Sequence, residues 1–115
     1  MIKLLAIAVA LSSSYPTSAA ATVCEGITSY IAIEGPDYLK IDIGYGQWTV
    51  CRTSTNYTVT NSTYGTYDIT PQTCQSLMAH MITAKSQNRK IDAYLNGSCP
   101  VNIPSSNYAY AWLFP

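Results

Sequence analysis

Four cysteines, Cys24, Cys51, Cys74 and Cys99, set the strongest limit on what this chain can fold into. All of them lie beyond a stretch laid out like an export signal. Met1–Ile2–Lys3 places one positive charge before an apolar run from Leu4 to Leu11. Serine, proline and small residues follow, ending in Ser18–Ala19–Ala20–Ala21. A charged start, a short apolar middle and a small-residue cleavage site are the parts of a secretory signal peptide. The apolar run is too short to span a bilayer. Val23, just before Cys24, is not the small residue that a lipoprotein signal places there. The expectation is a leader over residues 1–20 and a secreted or periplasmic protein. An even number of cysteines in a short exported chain argues for disulfides.

Cleavage after Ala20 leaves 95 residues, 21–115, enough for one domain. A domain of that size buries a modest share of its surface, and disulfides commonly supplement its core. Beyond the leader, Lys40, Arg52, Lys85, Arg89 and Lys90 face six acids, a net charge of −1. Scattered cations do not make the basic field that nucleic acid or an anionic membrane requires, so no nucleic-acid partner is expected. Tyrosine is abundant, with nine residues beyond the leader. Its rigid apolar ring and polar tip suit contact surfaces that stay soluble.

The chain reads as a meander, a helix and two further strands. In Ile27–Ile33 the isoleucines recur every second residue, the period of a half-buried strand. Gly35–Pro36–Asp37 is turn chemistry. Leu39, Ile41 and Ile43 then alternate with polar neighbours, and Gly44–Tyr45–Gly46 turns the chain again. Gln47–Thr53 is the third strand, with Trp48 and Val50 on one face and Thr49 and Cys51 on the other. Ser54–Thr66 reads mainly as an exposed polar loop, with an irregular strand around Tyr57–Thr60. Thr70 is a good N-cap and Pro71 suits the first helical position. Cys74, Leu77, Met78, Met81 and Ile82 form one apolar stripe, and Asn88 suits a helix stop. Lys90–Leu95 is the fourth strand, followed by the turn signal Asn96–Gly97. The fifth, Asn107–Phe114, alternates aromatics with small residues. The resulting class is mainly β with one helix. Its strand-strand-strand-helix-strand-strand order is that of a five-stranded OB-type barrel, with a split α+β sheet as the competing arrangement.

Four cysteines allow three pairings. In a barrel the end of the third strand and the segment after the fourth fall close together. That predicts Cys51–Cys99, with Cys24–Cys74 as the second bond.

Catalytic constellations are hard to find. His80 is the only histidine and reads as an exposed helix residue. With the thiols in disulfides, a zinc site lacks ligands, and no metal or cofactor is expected. The nucleophile-elbow motif, a phosphate loop, a dinucleotide fingerprint and a Cys-x-x-Cys pair are all missing. The acids are dispersed and read as solvated charges. The three Asn-x-Ser/Thr patterns, at Asn56, Asn61 and Asn96, read as surface loops. The chain is expected not to be an enzyme.

One stretch retains binding chemistry. The loop Thr53–Tyr67 mixes Asn, Ser, Thr and Tyr, so hydrogen-bonding groups stand beside flat apolar rings. Sugars ask for that combination. The candidate glycan-binding residues are Asn56, Tyr57, Asn61, Tyr64 and Tyr67.

From about Gln47 to Gly97 the layout resembles the B subunits of bacterial AB toxins of the subtilase-cytotoxin and pertussis-like kind. It consists of Gln47–Trp48–Thr49–Val50–Cys51, a polar hairpin, and the helix Thr70–Asn88 running into Arg89–Lys90–Ile91–Asp92–Ala93–Tyr94. Many small exported bacterial proteins share this layout. The resemblance implies an OB fold, a homo-oligomeric ring, a toxin A subunit as partner and a cell-surface glycan as ligand. It carries over no binding residue, because the stretch Cys24–Tyr30 departs from the sialic-acid-binding start of those subunits. The alternative is a monomeric exported domain that binds or inhibits a protein partner through its aromatic last strand.

Overall fold

The computed structural model describes residues 21–99 and 109–115. The leader expected over residues 1–20 lies outside the described residues, as do Asn107 and Tyr108 of the expected last strand. Among the described residues the protein is mainly β with one helix. Its strands are β1 (Ala21–Ile27), β2 (Tyr30–Glu34), β3 (Tyr38–Asp42), β4 (Gln47–Arg52), β5 (Tyr57–Asn61), β6 (Gly65–Ile69), β7 (Lys90–Asn96) and β8 (Ala111–Leu113). The helix α1 (Pro71–Ser86) stands between β6 and β7.

The strands form three small antiparallel sheets, ordered β1-β7-β8, β2-β3-β4 and β5-β6, rather than the closed five-stranded barrel that the element order predicts. Two causes are visible. First, the single strand expected over Ile27–Ile33 is broken at Thr28–Ser29, and its two parts serve different sheets. Ile27 and Ile33 are therefore exposed, while Thr28 is buried. Second, among the described residues β4 pairs only with β3 and β8 only with β7. Between them stand side chains instead of a ladder: Trp48 of β4 and Trp112 of β8 meet edge to face, centroids 5.4 Å apart.

The alternating residues of β3 and β7 face inward as their period requires. Leu39, Ile41, Ile91 and Ala93 are fully buried, with Ile43 and Leu95 nearly so. In β4 a bulge intervenes. Leu39 pairs with Cys51 but Lys40 pairs with Thr49, leaving Val50 as the extra residue. The bulge turns Cys51 to the inner face, so Val50 and Cys51 are both buried, which corrects the expectation that they stand on opposite faces.

This turn inward fixes the disulfides. Cys51 bonds Cys74 in the first turns of α1, and Cys24 of β1 bonds Cys99 just beyond β7. The expected pairs Cys51–Cys99 and Cys24–Cys74 are not formed. The reason is register: Cys24 lies opposite Ala93 in the β1–β7 ladder, so the chain leaving β7 passes β1 rather than β4.

Helix α1 starts and stops where local chemistry says it should. The Thr70 hydroxyl accepts from the Thr73 N–H at 3.3 Å, with Pro71 opening the helix. Asn88 adopts the left-handed conformation, φ 53°. Its N–H bonds the Lys85 carbonyl and the Arg89 N–H the Ala84 carbonyl, the paired bonds of a Schellman stop. The buried stripe is narrower than expected: Cys74, Met81 and Ala84 are buried, Leu77 and Met78 half-buried, and Ile82 is exposed.

Candidate binding site

The region read as a polar loop is a two-stranded hairpin, β5–β6, with Asn61 opposite Gly65. Its tip is built by Asn61. The Asn61 carboxamide oxygen accepts from the Thr63 and Tyr64 N–H groups at 3.1 and 2.7 Å, and Gly65 supplies the positive φ of 73° that closes the loop. Asn96, at the end of β7, clamps the tip. Its oxygen accepts from the Ser62 N–H at 3.2 Å and its amide donates to the Thr63 hydroxyl at 3.0 Å.

The hairpin has two unlike faces. Cross-strand contacts Thr58–Asp68 at 2.6 Å and Thr60–Thr66 at 2.9 Å line the exposed side. On the other side Val59 is buried, and Tyr67 and Ile69 are half-buried. That side leads to the last strand. The Tyr110 N–H donates to the Tyr94 carbonyl at 2.8 Å, which holds the residue before β8 beside β7. Tyr110 then meets Tyr64 at 5.8 Å and Tyr94 at 6.4 Å, both edge to face, and Tyr64 meets Tyr67 at 6.3 Å. Tyr64, Tyr67 and Tyr110 flank a shallow, largely open cleft of about 420 Å³. Behind it, and sharing Tyr67 and Tyr110 as walls, lies a recess of about 210 Å³ reaching Thr73 and Leu77 of α1 and Trp112 of β8. Tyr64 is two-thirds exposed, its ring open to solvent at the cleft mouth.

The structure therefore brings together only part of the expected set. Tyr64 and Tyr67 line the cleft. Asn61 is committed to the turn and to the Tyr67 hydroxyl, to which its amide donates at 3.2 Å. Tyr57 sits at the opposite end of the hairpin, paired with Ile69, half-buried and edge-on to Tyr38. Asn56 is exposed at that same far end. Tyr110, Tyr94, Trp112 and Asn96 are additions. The aromatic alternation of the last strand was legible, but nothing local says that it faces the hairpin.

A second polar cluster stands at the start of the hairpin. Asp37, expected as a solvated turn residue, is buried. Its carboxylate accepts from Arg52 Nε at 2.8 Å, the Ser54 hydroxyl at 2.7 Å and the Thr55 hydroxyl at 3.1 Å. These bonds, that from Ser54 foremost, hold its carboxyl below the ordinary carboxylate range against the opposing effect of burial. Arg52 also lies over the Tyr38 ring, 4.6 Å from its centroid. With three side-chain donors, one of them the Arg52 cation, already on its carboxylate, Asp37 anchors the chain rather than offering itself to a substrate. Elsewhere, the bond from the Tyr30 hydroxyl to Glu34 at 2.5 Å pushes the phenol's pKa up. His80 is exposed on α1, with its ring stacked on Phe114 at 5.1 Å.

No known protein family, characterised protein or solved structure matches this chain. What it does must be read from the groove and its surroundings. No helix among the described residues is long and apolar enough to cross a membrane. The two disulfides fit a protein that folds outside the reducing cytoplasm.

Proposed function

We propose that this chain is an exported binding module that recognises surface glycans, and that it performs no catalysis. The observation that carries the reading is the cleft between Tyr64, Tyr67 and Tyr110, rings set edge to face with one of them open to solvent. Sugars bind through C–H faces laid on aromatic rings and through hydroxyls at their rim. A concave site held between two rigid elements suits such a ligand. The clamp of Asn96 on the hairpin tip supports the reading, because a preformed cleft loses little freedom on binding. The engaged state of Asp37 and the stacking of His80 on Phe114 favour binding over catalysis.

The element order, a three-stranded meander and a hairpin before the helix and β7 after it, supports the likeness to toxin B subunits. The segment from Ala21 to Glu34 joins two sheets at a break, and the helix lies between the meander and β7. The leader over residues 1–20, a glycan ligand, a ring and a toxin A subunit belong to this proposal. Binding by the oxidised protein on an array of surface glycans tests it, with solution mass deciding between a ring and a monomer. A protein that binds no glycan at high concentration, yet remains folded and monomeric, would point to the alternative role as a protein-binding or inhibitor domain.

A further inference from the structure

The recess behind the tyrosine cleft narrows the class of sugar. We propose that the groove takes an uncharged N-acetylated hexosamine unit, its ring lying on Tyr64 and its acetamido methyl entering the recess under Tyr67 and Tyr110. This inference rests on the glycan reading above and goes beyond it.

Charge comes first. Among the described residues, no charged side chain lines the cleft or the recess. A carboxylate bound there would lose water and meet no cation, an unfavourable exchange. Acidic sugars are therefore disfavoured.

Shape and polarity come second. The recess floor is apolar, made by Ile69, Leu77, Ala111 and Trp112. Its volume of about 210 Å³ is more than a flat stacking surface needs and suits a small projecting group. A sugar hydroxyl placed there would leave its hydrogen bonds unmade, whereas a methyl would bury apolar surface. The rim is polar. The Tyr67 hydroxyl accepts from Asn61 at 3.2 Å, which leaves its own hydrogen to donate to an amide carbonyl. Thr73, from the first turn of α1, also lines the recess. An acetamido group presents a methyl to such a floor and an amide to such a rim.

The test compares two sugars that differ in this group and a third that carries a carboxylate. Calorimetric titration of the oxidised protein uses chitobiose, which carries acetamido groups, cellobiose, which has the same skeleton without them, and sialyllactose. Chitobiose is expected to bind at least about tenfold more tightly than cellobiose, the scale of one apolar group fitted to a pocket. Sialyllactose is expected to bind more weakly than chitobiose. Ala111→Leu, which fills the recess from β8, is expected to bring chitobiose down to the affinity of cellobiose. The unaltered protein offers a second readout: nuclear Overhauser contacts from the acetamido methyl to Trp112 or Leu77, which need no variant to fold. Equal binding of chitobiose and cellobiose, or tightest binding of sialyllactose, overturns the inference and leaves the glycan reading standing. Failure of all three sugars, together with a blank glycan array, defeats both.

Discussion

Gly26 of β1 lies against the carbonyl oxygen of Ile43, so close that a Cβ on Gly26 would stand 1.8 Å from that oxygen. Backbone meets backbone here, and neither side can move away as a flexible side chain would. The crossing joins two sheets. The Tyr45 hydroxyl donates to the Glu25 carbonyl at 3.0 Å and the Ser29 N–H to the Asp42 carbonyl at 2.9 Å on either side of it. Only glycine allows this approach.

Gly26→Ala is therefore expected to destabilise the protein by about 3 kcal/mol, the upper part of the range for overpacking. Urea unfolding of the oxidised chain measures it. A variant as stable as the parent would show that the two sheets are not seated on each other at this point.

The two disulfides close loops of different length, with sequence separations of 75 for Cys24–Cys99 and 23 for Cys51–Cys74. Loop entropy assigns them about 4.5 and about 3.4 kcal/mol respectively. Paired alanine substitution is expected to cost more at Cys24 and Cys99 than at Cys51 and Cys74. Peptide mapping of the unreduced protein should recover these two pairs, and recovery of a Cys51–Cys99 peptide would refute the register described above.

What the sequence made legible was local. The cap at Thr70, the stop at Asn88 and the inward faces of β3 and β7 each depend on residues within a few positions of one another. What it hid was long-range. The break at Thr28–Ser29 follows directly on the crossing of Gly26 and Ile43, residues distant in the chain. The expected placement of Val50 and Cys51 on opposite faces failed because one extra residue, Val50, reverses the strand's faces and nothing in its composition marks it. The same limit applies to the groove. Tyr64 and Tyr67 were identifiable as free rings on a polar stretch, but their partner Tyr110 is brought to them by the β7–β8 pairing.

Asp37 makes stability depend on pH. Its folded pKa is depressed, chiefly by the Ser54 hydroxyl, with Arg52 adding to the effect. Its contribution is thus fully present above the unfolded carboxylate pKa of about 3.9 and is lost as pH falls through the lower folded value. Thermal melts at a series of pH values are expected to show the parent losing stability on acidification below about pH 4. Asp37→Asn should melt lower than the parent at neutral pH and show a shallower acid dependence, and Ser54→Ala should move the acid loss to higher pH. Superimposable acid profiles for parent and Asp37→Asn would remove Asp37 from this role.

Tyr64 and Tyr57 belong to the same hairpin and are expected to fail in opposite ways. Tyr64 is exposed at the cleft mouth, where its ring meets those of Tyr67 and Tyr110. Tyr64→Ala should weaken glycan binding by about 1–3 kcal/mol, the scale of a truncated interface anchor. Its stability should stay within about 0.5 kcal/mol of the parent. Tyr57 packs against the core and stands edge-on to Tyr38, which carries Arg52 on its face. Tyr57→Ala should cost about 2 kcal/mol of stability, and the chain that remains folded should bind glycan as the parent does. Calorimetric titration and thermal melts on the two variants separate these outcomes. If Tyr57→Ala lost binding while Tyr64→Ala kept it, the ligand would lie at the base of the hairpin rather than in the tyrosine cleft.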